Sequence, residues 1–201
     1  MAHTLSTTRK LAAVGLVLVW AAGTVAAFWW FEFRNLRTFL PEQVAMFQAD
    51  QLGDLAAEAR APNTGSGPVI MHFWDPACPC TRFTTPHLQD ILATYAGRGL
   101  GLVVLVPEAG LKDAARETFG AMADVRVAGT LNPVSSPAAV LLDTRGELAY
   151  FGPYSTGAGC TTGAGSFVES VLDALDAGYN PRQVNTLATG CFCRWPDAKS
   201  A

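Results

Sequence analysis

Residues 69–83 read VIMHFWDPACPCTRF, and this stretch decides the fold. Val69, Ile70, Met71, Phe73 and Trp74 make a short apolar run, interrupted by His72, as a strand does when both faces of its sheet are covered. Asp75 and Pro76 break the run, and Cys78 and Cys80 follow at the start of a segment with helical character. The reading is a strand, a tight turn and a helix start. At such a junction the helix dipole favours negative charge and the first peptide N–H groups point outward, so a thiolate is stabilised. Cys78 is therefore the candidate nucleophile, with Cys80 as its partner.

Downstream, residues 80–95 read as a helix that contains Pro86 and is closed by Gly97, and residues 101–106 as a second buried strand. Strand, helix and strand of these lengths imply a right-handed parallel crossover. Leu111, Ala115, Phe119 and Met122 share one stripe of a helix over 111–122, and 124–128 suit a short edge strand. Ser135, Ser136 and Pro137 introduce an apolar run at 138–142; the turn residues Asp143, Thr144, Arg145 and Gly146 then return it through 147–151 as a β-hairpin. A glycine, serine and threonine loop at 152–165 carries Cys160, a last amphipathic helix covers 167–175, and CFCRWP occupies 191–196. The class is α/β, a mixed sheet flanked by helices.

Upstream, residues 11–31 carry no charge and are long enough to cross a bilayer as a helix. Thr24, Val25 and Ala26 suit signal cleavage, but the run continues into Phe28, Trp29, Trp30 and Phe31, an interfacial aromatic belt, which favours an uncleaved anchor. Arg9 and Lys10 before the span are nearly balanced by Arg34 and Arg37 after it. A short first flank and a long following domain place the domain outside, a single-pass protein facing the extracytoplasmic, periplasmic side. The chain divides into a tail at 1–10, the anchor at 11–31, a helical stalk and linker at 32–68, a domain at 69–177 and a cysteine-bearing tail at 178–201. Within the stalk, Pro41, Val44, Phe47, Leu52 and Leu55 suit a helix over 41–60.

A formal charge of −3 with no lysine or arginine run argues against nucleic acid. The glycines around Cys160 miss both phosphate-binding fingerprints by spacing and lack a P-loop lysine, which argues against a nucleotide.

The cysteines at the first strand-to-helix turn, followed by a helix, a hairpin and a closing helix, resemble the thioredoxin fold over about 69–177. Phe73 and Trp74, followed after a short gap by Cys78, resemble the F-W-x-x-x-C entry of membrane-tethered bacterial thioredoxin-like proteins. Pro86 resembles the proline that kinks the active-site helix of that family, and Pro137 stands where the family places a cis-proline beside its cysteines. The form F-W-D-P-x-C-P-C with a C-terminal C-F-C is also similar to an uncharacterised bacterial thioredoxin-like family. The resemblance implies thiol–disulfide exchange with protein thiols or disulfides: Cys78 attacks, Cys80 resolves, and Pro137 holds the substrate backbone alongside. It implies no cofactor.

The spacing departs from the C-x-x-C of that family, because only Pro79 separates Cys78 from Cys80. A disulfide between them would close a small strained ring and be easily reduced. Hairpin topology brings Cys160 toward the same sheet edge, and the tail is long enough to return Cys191 and Cys193 there, as a relay or a structural disulfide. Whether Cys78 bonds Cys80 or the tail stays open. The alternative function is a soft-metal protein: Cys78, Cys80, Cys191 and Cys193 supply thiolates for copper(I) or zinc, with His72 or His87 completing the set.

Overall fold

The computed structural model describes residues 7–30, 36–38, 66–129, 131, 133, 135–155, 166–185 and 188–196. The expected helix at 41–60 and the loop carrying Cys160 lie outside the described residues, and of Cys191 the backbone is described but not the side chain.

The first element, α1 (Thr7–Phe28), is apolar and exposes Leu16, Val19 and Trp20. Its span Thr8–Phe28 has 21 residues, about 32 Å at 1.5 Å per residue, so by length and composition it can cross a membrane. After it, β1 (Leu36–Thr38) is a strand within the expected helical stalk.

The domain is built on β2 (Val69–Phe73), α2 (Thr81–Tyr95), β3 (Gly101–Val106), α3 (Lys112–Phe119), β4 (Ala123–Val127), β5 (Ser135–Ser136), β6 (Ala138–Leu142), β7 (Leu148–Gly152), α4 (Phe167–Asp176), β8 (Gln183–Val184), β9 (Thr189–Cys191) and β10 (Cys193–Arg194). The main sheet has the order β4-β3-β2-β6-β7-β8. Strands β2, β3 and β4 are parallel, β6 is antiparallel to β2 and β7 to β6, and β8 is parallel to β7. This is a thioredoxin-like fold, a mixed sheet flanked by helices, with the parallel βαβ crossover and the C-terminal hairpin that the sequence implies. Two local limits differ. Gly99, at φ 70°, rather than Gly97, ends the turn that follows α2, and the sheet extends past residue 177 to include β8. Asp143 holds the hairpin turn, its Oδ1 accepting from the N–H groups of Arg145 at 2.9 Å and Glu147 at 2.8 Å.

Alternation along the strands divides the core in two. Ile70, Leu102, Val104 and Leu141 face Leu88 and Ile91 of α2, Ala115 and Phe119 of α3, and Val168 and Leu172 of α4. Met71, Phe73, Val103, Leu105 and Val140 point the other way. Among the described residues, they are met by Phe192 and Trp195 of the tail and by Leu131, not by a helix. Phe73 and Trp195 meet edge to face, with ring centroids 5.4 Å apart.

The tail is thus core. Its strand β9 pairs antiparallel with β1, Cys191 opposite Leu36, and β10 pairs antiparallel with β5, Cys193 opposite Ser136. Trp195 is 2 % exposed, so Trp195→Ala should cost about 3–5 kcal/mol, read as a lowered denaturation midpoint of the oxidised, detergent-solubilised chain. An unchanged midpoint would contradict the assignment of the tail to the core.

Candidate functional site

The turn that carries the cysteines is organised by Asp75. Its Oδ1 accepts from the Ala77 N–H at 2.9 Å, while its carbonyl accepts from the Cys78 N–H at 3.1 Å and the Thr81 hydroxyl at 2.7 Å. Two tight bonds follow, Thr81 N–H to the Cys78 carbonyl at 3.1 Å and Arg82 N–H to the Pro79 carbonyl at 3.3 Å, and they lead into α2, with Cys80 at its N-cap. Asp75 is therefore a turn-capping residue. Cys78 stands just ahead of the positive end of a helix dipole, the position its proposed chemistry needs.

The sulfur of Cys78 is bonded to that of Cys193, with Cα atoms 5.7 Å apart and a sequence separation of 115. The pairing that the sequence leaves open is thus with the tail and not with Cys80. Cys80 is also disulfide-bonded. The sulfurs of Cys78, Cys80 and Cys193 lie within 4.8 Å of one another, so the structure does bring these predicted site residues together. Cys160 and the Cys191 side chain fall outside the described residues.

The peptide bond Ser136–Pro137 is cis, and it borders the same disulfide. Cys78 Sγ lies 3.5 Å from the Ser136 carbonyl oxygen. The bonded sulfur has no proton to donate, so this is a contact in the oxidised form and a thiol hydrogen bond once the disulfide opens. Ser136 itself is fully buried, and its hydroxyl donates to the Phe73 carbonyl at 3.4 Å, tying β5 to the end of β2.

Cys78 is 2 % exposed and Cys80 1 %, whereas Cys193 is half-buried. An open cleft of about 620 Å³ runs past Cys78 along the start of α2, lined by Trp74, Pro76, Pro79, Phe83 and Pro86 among others. Phe83 is 50 % exposed at its rim. Such a wall suits an apolar polypeptide segment better than a charged one.

Beneath the site lies a chain of polar groups. His72 is fully buried, its Nδ1 is 2.8 Å from the Tyr154 hydroxyl, and its Nε2 faces the Ala138 backbone without a hydrogen bond of good geometry. His87 packs its ring on Tyr154 and places Nε2 3.3 Å from Glu169 Oε2. Burial lowers the His72 pKa to about 3, against a partial opposing effect from the Ala138 backbone, so the ring is neutral. Burial also holds the Tyr154 hydroxyl protonated far above its ordinary range. Sequence reasoning gave no role to Ser136, Tyr154, Phe192 or Trp195. The aromatic pair flanking Cys193 in CFCRW was the available signal for an anchored tail.

Residues 45–195 match the sequence profile of a family described as Domain of unknown function (DUF6436). The chain belongs to this family. No curated protein sequence matches it. Among solved structures, an uncharacterized conserved protein from Geobacillus kaustophilus is similar with a TM-score of 0.55 at 15 % identity, covering 69 % of this chain and 82 % of its own. A hypothetical protein from Sinorhizobium meliloti 1021 is similar with a TM-score of 0.51 at 18 % identity, covering 66 % and 82 %. A candidate thiol–disulfide oxidoreductase from Bacteroides vulgatus matches at a TM-score of 0.34 and 18 % identity, over 48 % and 64 %. The first two share the fold with this member of the family, and at such identities the fold is what they share.

The buried histidine makes stability depend on pH in a known direction. His72 takes a proton near pH 6.5 when unfolded and near pH 3 when folded, so the unfolded chain binds more protons between those values and stability falls as pH is lowered through that window. Between pH 7 and pH 5 the wild-type chain should lose about 2 kcal/mol more than His72→Gln does, measured by urea denaturation. Parallel pH dependences would show that His72 is not held neutral.

Proposed function

We propose that this protein is a membrane-anchored thiol–disulfide oxidoreductase facing the extracytoplasmic side, with Cys78–Cys193 as its working disulfide. The observation that carries the reading is the bond itself. It joins a cysteine at a strand-to-helix junction to a cysteine on a strand paired with Ser136, next to the cis Ser136–Pro137 peptide. A purely structural staple needs none of those surroundings, whereas exchange chemistry uses a stabilised thiolate, access for a partner and a nearby resolving sulfur.

In the reducing direction, the Cys78 thiolate attacks a substrate disulfide, forming a mixed disulfide and releasing one substrate sulfur as thiolate. Cys193 then attacks Cys78 Sγ, the Cys78–Cys193 bond forms, and the second substrate sulfur leaves. Two electrons pass to the substrate, whose two thiolates take protons from solvent. The oxidising direction is the reverse, with Cys78 as the leaving group favoured by the helix end. Cys193 here holds the resolving role that the family spacing suggests for Cys80. Substrates are protein thiols or disulfides on extended apolar segments that enter the cleft past Trp74 and Phe83. Pro137 lines up that segment. Residues 11–31 anchor the chain, and α1 has the length for it.

Cys78→Ser should abolish exchange with a model protein disulfide. Cys193→Ser should instead accumulate mixed disulfides through Cys78, seen as reductant-sensitive bands on non-reducing gels. Undiminished exchange by Cys78→Ser would sink the assignment.

A further inference from the structure

We propose that the oxidised protein takes electrons from a cysteine pair on an integral membrane protein, carried by an extended segment within about 35 Å of the bilayer surface. The inference rests on the exchange reading of Cys78–Cys193 and on residues 11–31 as the anchor. The observation that carries it is the pairing of β1 with the tail.

Helix α1 ends at Phe28, and Trp29 and Trp30 follow as exposed aromatics suited to a membrane–water boundary. Six residues after Trp30 the chain enters β1, which pairs with β9: Leu36 opposite Cys191, Arg37 opposite Gly190, Thr38 opposite Thr189. Six residues reach at most about 22 Å. One strand spacing of about 5 Å and the step from Cys191 to Cys193 complete the path, so the disulfide stands no more than about 35 Å from the aromatic end of the anchor. Had β1 no partner, the path from anchor to domain would run through residues 32–68, a contour of about 120–130 Å. The pairing removes most of that reach.

It also fixes which edge of the domain is held. Strand β2 runs from Val69 to Phe73 toward the turn that carries Cys78, while Val69 stands opposite Leu142, so the hairpin turn after Leu142 lies at the other end of the sheet. The tether grips the sulfur edge, through the tail that carries Cys193.

A cysteine pair on a protein of the same bilayer is confined to the same thin layer, which raises its effective concentration over that of a freely diffusing substrate. The cleft past Cys78 fits such a segment. Trp74, Pro76, Phe83 and Pro86 line it, and Arg82 is the one charged side chain among the described lining residues. Segments that border a membrane span are rich in aromatic residues, which such a wall accepts.

One partner thiolate attacks Cys78 Sγ, the Cys78–Cys193 bond breaks, and Cys193 leaves as a thiolate. The second partner thiolate attacks the mixed disulfide and releases Cys78. Two electrons pass from the partner, whose cysteines end as a disulfide, and the protons lost by its thiols pass through solvent to Cys78 and Cys193.

The test reconstitutes the full oxidised chain in phosphatidylcholine vesicles with a designed single-span peptide. Its reduced cysteine pair is placed either within about five residues of the span or beyond a rigid helical spacer of about 60 Å. The near pair should be oxidised at least about tenfold faster than the far pair. Inserting a rigid helical spacer of about 30 Å between Phe31 and Glu32 should abolish that preference, whereas the same insertion between Thr64 and Gly65, after β1, should preserve it. A soluble peptide with the same cysteine pair reports the exchange chemistry apart from the geometry. With soluble exchange intact, equal rates for near and far pairs, a preference that survives insertion before β1, or one lost on insertion after it would each overturn the inference and leave the exchange reading standing. Failure of the wild-type chain to oxidise the soluble peptide would overturn the exchange reading and this inference with it.

Discussion

A strand buried on both faces must meet apolar groups on each, and the described helices of this protein supply them on one face only. Helices α2, α3 and α4 all pack on the side of Ile70 and Val104. On the other side, Phe192 and Trp195 of the C-terminal tail cover Met71, Phe73 and Val140. Burying those two aromatics is worth roughly 1.5–3 kcal/mol for a side chain of phenylalanine size and somewhat more for tryptophan. Hydrophobic cover thus brings the tail to the end of β2, and Cys193, between the two aromatics, arrives beside Cys78 as a consequence.

The disulfide then adds to a tail that packing already places. In the chain-entropy account, closing a loop of 115 residues restrains the unfolded chain by on the order of 5 kcal/mol. That contribution disappears on reduction, which leaves the burial of Phe192 and Trp195 and the pairing of β10 with β5 as the contacts that hold the tail. Contacts of that kind would give a thiol on the tail a high effective concentration beside Cys78, as the proposed exchange requires.

Beside the sulfur cluster sits a polar chain whose charge is suppressed by burial. His72 stays neutral because burial penalises its cation by more than the Ala138 backbone supports it, and Tyr154 satisfies one ring nitrogen. In the turn that follows β2, the Asp75 carboxylate is already occupied by the Ala77 N–H.

Much of this was legible in the chain itself. Alternation and apolar runs in 69–74, 101–106 and 138–142 determine the central strands, since covered strands need such runs and exposed ones do not. Asp75, Pro76 and the cysteines determine a turn into a helix, and Ser136 with Pro137 marks a special peptide ahead of β6. Those are local signals, carried by the residues that respond to them. What only the tertiary structure decided is the partner of Cys78: spacing made Cys80 the near neighbour, but the second face of the sheet required cover from the tail and brought Cys193 instead. That choice depends on contacts between residues far apart in sequence, which no local pattern encodes.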